Sequence, residues 1–248
     1  MRPTLMGLIL AALPLTLSAQ APGKWPPDSL LNTKVIPHDT PVMQVVGTMR
    51  NFAGGLGVRC SFCHVGEEGK PLETYDFALD KKRTKLVARQ MMRMVEEINK
   101  RLDTIPERPT PGVQVTCITC HRGISRPVPL ATRVAETTIA AGADSGVRLY
   151  RALRERYFGR DAFDFGERSL NNAALQVGRE KQYDDALALL KVNEGFFPGS
   201  SGLSVFRGNI LLLKGDTSGA AGAYREALQR DSTNGEARGR LKDIGQAP

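Results

Sequence analysis

Two pentapeptides, Cys60-Ser61-Phe62-Cys63-His64 and Cys117-Ile118-Thr119-Cys120-His121, use all four cysteines of this 248-residue chain and two of its three histidines. Two thiols three residues apart on one helical turn reach the two vinyl groups of a single porphyrin. The adjacent imidazole then faces the iron, which makes Cys-x-x-Cys-His a c-type haem attachment pattern. Cys60, Cys63, Cys117 and Cys120 are therefore candidates for covalent attachment of two haem c groups, with His64 and His121 as the proximal iron ligands. A four-thiolate zinc site would use the same pairs but gives no reason for a histidine after each. A thioredoxin-like redox pair wants a strand–helix setting, which Gly57-Val58-Arg59 does not supply. Two disulfides, the ordinary use of four cysteines in an oxidising compartment, are opposed by the spacing.

The N-terminus sets the expected compartment. Arg2 precedes an apolar run, Leu5 to Leu15, that ends in small residues at Ser18-Ala19. This pattern predicts an export signal over residues 1–19 with cleavage after Ala19. Leu17 at the −3 position is not ideal, which leaves an uncleaved anchor as the alternative. No later run is long and apolar enough for a membrane span, and no cysteine is left over to carry a lipid. The expected location is periplasmic, with attachment to the outer face of the cytoplasmic membrane as a variant. The formal charge of +8 is compatible with nucleic acid, a membrane surface or an acidic protein. Export argues against nucleic acid, and haem propionates would lower the net charge further.

Helical periodicity organises the first half. Residues 20–39 are a Pro-rich, polar lead-in. Thr40 and Pro41 predict a helix start, with Val42, Val45, Met49 and Phe52 on one apolar face and Gly54-Gly55 as the stop. A second helix is expected over 81–102, with Val87, Met91, Met94, Ile98 and Leu102 as its stripe and Lys82, Lys85, Arg89 and Arg93 on another face. The Pro-rich stretch 106–112 breaks it before Cys117. The order of methionine-bearing helix, break and Cys-x-x-Cys-His thus occurs twice, as in an internal duplication.

Each iron needs a sixth ligand or an open position. His38, the spare histidine, sits in a loop and reads as a solvated side chain. A methionine thioether is a suitable soft, uncharged ligand, and the place of Met49 in the repeated unit makes it the candidate for the first iron. For the second, Met91, Met92 and Met94 are available. Met92 lies off the stripe, and periodicity does not choose between Met91 and Met94.

Residues 123–145 are rich in Ala, Thr, Gly and Pro, and 129–145 reads as a linker between a two-haem domain (20–128) and a helical domain (146–248). In the latter, Ala186 and Ala220 lie 34 residues apart, the period of a tetratricopeptide helix pair. Residues 168–234 resemble two such repeats, although the usual early Trp is missing and Ser232 stands where the first unit has Pro198. Residues 235–244 form a candidate capping helix, and helices from 146–166 are expected to complete the stack or dock it on the haem domain. The fold class expected for the whole is all-α.

Several segments also resemble a known family, the cytochrome c subunit of purple-bacterial photosynthetic reaction centres. They are Thr48-Met49 with Leu56 to His64, Val87-Ala88-Arg89-Gln90-Met91 with Ile98-Asn99, and Val115 to Gly123. The resemblance spans roughly residues 32–127. It implies a Met/His ligand pair on each iron: Met49 with His64, and Met91, rather than the neighbouring Met94, with His121. The better-known members carry four haems, and this chain has cysteines for two. Residues 104–116 also lack the histidine that those members use for a fourth haem, and the helical tail is foreign to their pattern.

These readings together predict an electron carrier rather than an enzyme, passing electrons to a redox protein or membrane complex such as a photosynthetic reaction centre. The alternatives are a peroxidase-like dihaem enzyme with one open iron position, and a carrier for a non-photosynthetic respiratory complex. The helical tail is a candidate surface for a protein partner. Lys81-Lys82-Arg83, with Lys85, Arg89 and Arg93, reads either as a docking face for an acidic partner or as a solvated helix face.

Overall fold

The computed structural model describes residues 24–247, so the export signal expected over 1–19 lies outside the described residues. The helices are α1 (Val42–Leu56), α2 (Arg83–Leu102), α3 (Cys117–His121), α4 (Leu130–Tyr157), α5 (Glu167–Arg179), α6 (Tyr183–Phe196), α7 (Ser201–Lys214), α8 (Thr217–Arg230) and α9 (Gly235–Asp243). Short 3-10 turns lie at Cys60–Phe62 and Leu72–Thr74. Extended pairing among the described residues is limited to an isolated bridge between Val65 and Asp76. The fold is all-α, as expected, and none of these helices is long and apolar enough to cross a membrane.

The chain divides into two compact units, one from residues 24–50 and 59–114, the other from 51–58 and 115–247. The first turn of α1 is built on Pro41, whose carbonyl accepts from Gln44 at 2.9 Å and Val45 at 3.1 Å. Its stop falls later than the expected Gly54-Gly55. Both of those glycines stay helical, and Gly57 takes the left-handed conformation at φ +65°. The Val58 N–H then closes back on the Ala53 carbonyl at 3.0 Å, which satisfies a carbonyl the helix would otherwise strand. Helix α2 begins at Arg83, two residues after the expected start, because Lys82 is extended.

The first unit has almost no hydrophobic core of its own. Among its described residues Val46 is the single buried hydrophobic side chain. Phe62, Leu79, Leu86, Val87 and Met94 are all exposed, Leu79 by 45 % and Met94 by 44 %. The stripe read from α2 is therefore not a packed face here, since Val87 and Met94 face outward while Lys85, assigned to the polar face, is buried.

The second unit is packed differently. Residues 129–145, expected as a linker, are mostly helix. Leu130, Ala131, Val134, Ala135 and Thr138 on α4 are buried, and most join one core with Tyr150, Leu170, Val177 and Leu189. Small side chains let α4 approach closely, and the same Ala, Thr and Gly content had suggested a linker. The helix is kinked at Ala141-Gly142, where Gly142 has φ +78°. Helix α4 packs against α5 and α6 and so completes the stack, one of the two roles expected of 146–166. Helices α5, α7 and α9 begin at Glu167, Ser201 and Gly235, each 34 residues after the last. Ala186 and Ala220, which marked the period, are both fully buried. Gly208 is required by packing, because a Cβ there would fall 2.4 Å from the Tyr224 ring.

Candidate haem attachment sites

At the first pentapeptide the backbone forms a single tight turn. The N–H groups of Cys63 and His64 both point to the Cys60 carbonyl, at 3.2 and 2.9 Å. The start of α2 clamps this turn: Lys82 Nζ donates to the Ser61 carbonyl and Thr84 Oγ1 to that of Phe62. The segment after His64 folds back through the Val65–Asp76 bridge, with Asp76 N on Val65 O at 2.8 Å. Asp76 then accepts from the N–H groups of Ala78 and Leu79 at 3.0 and 2.8 Å. This return places the Phe77 ring 4.9 Å from the His64 ring, with Trp25 at 4.7 Å and Tyr75 at 5.6 Å on Phe77. The lead-in is thus tied to the site through Trp25, a contact that composition alone did not suggest.

Beneath Phe77 lies a charged cluster. Lys85 Nζ donates to the carbonyls of Phe77, Ala78 and Leu79 at 2.9, 2.9 and 3.1 Å and pairs with Asp80 at 2.9 Å. Arg89 grips the same carboxylate with both terminal nitrogens, at 2.7 and 2.9 Å, and reaches the Asn32 carbonyl at 3.2 Å. The basic docking face read from the sequence is accordingly corrected. Lys82, Lys85 and Arg89 are committed to internal partners, while Lys81, Arg83 and Arg93 are exposed.

At the second pentapeptide the chain forms a short helix, α3. Thr116 and Thr119 close a reciprocal cap at its start, with Thr116 N on Thr119 Oγ1 at 3.0 Å. Arg122 (φ +49°) and Gly123 (φ +82°) then reverse the chain. The reversal brings Ile124 back, so that its carbonyl lies 2.9 Å from His121 Nδ1. Gly123 N donates to Gly55 O at 2.9 Å. At Gly55 a Cβ would stand 3.1 Å from Ile118 N and 3.3 Å from Cys117 Cβ. The last turn of α1 is thus the seat of α3, and glycines at 55 and 57 make that approach possible.

The donor sets suit haem. All four thiols are free, and Cys60 and Cys120 are exposed. Burial raises the Cys63 and Cys117 thiols above their ordinary pKa, so both are protonated at neutral pH and slow to oxidise. Burial, and next the Lys85 charge, lowers His64 from 6.5 to about 4, which keeps its imidazole neutral and able to ligate. At His121 the Nδ1–H donates to the Ile124 carbonyl and leaves Nε2 available for a metal. Among the described residues no group of three or more His, Cys, Asp or Glu side chains is placed to hold a metal ion. Met49 and Met91 are half-buried, Met94 is exposed, and His38 is an exposed turn residue.

Sequence reasoning missed Phe77, Asp80 and the inward turn of Lys85 and Arg89. The available signal was Asp80 placed five and nine residues before a lysine and an arginine.

No curated protein matches this chain. Residues 60–152, which contain both pentapeptides and Met91 but not Met49, match the family model of the photosynthetic reaction centre cytochrome C subunit.

Proposed function

We propose that the chain is an exported electron carrier with two covalently attached haems, acting as a donor subunit to a membrane electron-transfer complex of the photosynthetic reaction-centre kind. The observation that carries this reading is the missing core of the first unit. Large apolar side chains, Phe62, Leu79, Leu86 and Val87 among them, stay exposed beside a single buried Val46. Such a unit needs a large apolar group to complete it, and the adjacent Cys60-x-x-Cys63-His64 turn is built to hold a porphyrin.

When bound, haem supplies a one-electron iron couple. The chain's residues do the rest. The pairs Cys60 with Cys63 and Cys117 with Cys120 would each hold one porphyrin through two thioethers. His64 and His121 would supply the imidazole ligands to the two irons. Met49 and Met91 would supply the thioether ligands to the same irons, a pairing that rests on the motif resemblance. The helical unit that follows supplies a stacked surface for a protein partner.

A pyridine haemochrome assay on chain exported by a haem-maturing host tests the proposal, together with an oxidised spectrum. Two haems per chain and a methionine-to-iron charge-transfer band in the red are expected. Absence of covalent haem overturns the reading. A spectrum that shifts on adding carbon monoxide favours the enzyme alternative.

A further inference from the structure

The outer nitrogens of the two motif histidines are treated differently. His121 Nδ1 donates to the Ile124 carbonyl at 2.9 Å. His64 Nδ1 is buried and makes no hydrogen bond of normal geometry. The acceptor nearest His64 is the Phe77 backbone, which favours the charged ring, but that carbonyl also accepts from Lys85 Nζ at 2.9 Å. A carbonyl already accepting from an ammonium is a poor acceptor for a neutral imidazole.

The surrounding charge differs in the same sense. Lys85 is 8 % exposed and is the one buried charged side chain among the described residues. Lys85 and Arg89 share the single carboxylate of Asp80, so the cluster keeps a net positive charge. Lys82 adds an ammonium on the Ser61 carbonyl, inside the first pentapeptide. In the sequence beside His121 the cations are Arg122, which is exposed, and Arg126, which is closed on Glu136 by two bonds of 2.6 and 2.7 Å.

Both differences act on an iron couple in one direction. An imidazole that donates its Nδ1 proton is a more basic ligand and favours the ferric state. A buried positive charge favours the ferrous state, because the weakly polar surroundings barely screen it. We infer that Lys85, acting through the Phe77 carbonyl, is a positioning residue that keeps the first haem site at a higher reduction potential than the second. This rests on the two-haem reading above. With haem bound, the first site would be the more readily reduced of the two, so an electron exchanged between them would favour the first.

The test is a spectroelectrochemical titration of the holo-protein beside Lys85→Met, Lys85→Arg and Asp80→Asn. A chain carrying Cys117→Ala and Cys120→Ala, with haem at the first site alone, assigns the two waves. The first site is expected to titrate as the higher wave. Lys85→Met lowers that wave and leaves the other unmoved, and Lys85→Arg restores most of the shift. Asp80→Asn removes the counter-charge and raises the same wave, whereas simple loosening of the loop would admit water and lower it. This sign separates charge from structure, and it remains readable if Lys85→Met fails to fold. Two haems per chain with unmoved waves, with the first site as the lower wave, or with Asp80→Asn lowering it, overturn this inference alone. A haemochrome assay that finds no covalent haem overturns both readings.

Discussion

Replacing Gly57 by alanine should unseat α3 and, with it, the second attachment motif. Gly57 has φ +65°, and a Cβ there would lie 2.0 Å from the Gly123 carbonyl oxygen and 2.8 Å from its carbon. Left-handed backbone costs a residue with a side chain about 1–2 kcal/mol. The collision is with backbone, so no rotamer relieves it, and forced overpacking of this kind adds about 1–3 kcal/mol. The expected loss is therefore about 2–5 kcal/mol. Gly123→Ala is the control, because Gly123 has φ +82° with nothing within 4 Å of its added Cβ. That variant should lose only the backbone part, about 1–2 kcal/mol. Urea unfolding followed by far-ultraviolet circular dichroism gives both losses, and haem content per chain reports on the second motif. If Gly57→Ala is no more destabilising than Gly123→Ala, the close-approach argument is refuted.

Other expectations follow from single residues. Asn193 is fully buried and donates to the Asn171 side chain and the Glu167 carbonyl, both at 2.8 Å. Asn193→Ala should cost about 2–3 kcal/mol by thermal or urea unfolding, and a loss below about 0.5 kcal/mol would count against that network. In the haem-free chain His64 takes up its proton near pH 4 instead of 6.5, because burial and then Lys85 oppose its charge. The unfolded chain binds that proton first, so stability is unaffected above pH 6.5 and falls as pH drops from 6.5 toward 4. A His64 ring resonance titrating near 6.5 would contradict this. Arg89, then Lys85, hold the Asp80 carboxyl well below the usual carboxylate range. Its stabilising effect is complete above the ordinary carboxylate pKa and is lost as pH falls through the depressed one. Asp80→Asn should therefore flatten the acid side of the urea-midpoint profile. Met91→Leu should abolish one methionine-to-iron band that Met94→Leu retains, and the reverse pattern would exchange the two assignments.

The sequence announced some of these features more clearly than others, for physical reasons. The pentapeptides are legible because thiol spacing and an adjacent imidazole are local chemistry. The 34-residue period is legible because small residues such as Ala186 and Ala220 recur wherever helices approach closely. The linker reading of 129–145 failed because alanine and threonine serve both flexible chain and close helix contact, and only burial of Val134 and Thr138 separates the two. Lys85 was assigned to a polar face by period alone. Its three carbonyl partners come from a loop six to eight residues earlier in the chain, and no helical pattern encodes that return. The stop at Gly57 rather than Gly54 goes with the close approach of the Gly123 backbone, distant in sequence.

The uneven distribution of buried side chains also bears on the life of the chain after synthesis. The second unit closes around Tyr150, Leu170, Val177 and Tyr224, whereas the first buries Val46 alone and, on the function proposed above, would be completed by its haem. Proteases attack segments that open, at a rate set by how often they open. A chain that missed its haem would be degraded from the N-terminal half while the helical half persisted as a stable fragment. Cofactor loading would thereby become a survival test, and the surviving population would be enriched in chains able to carry electrons.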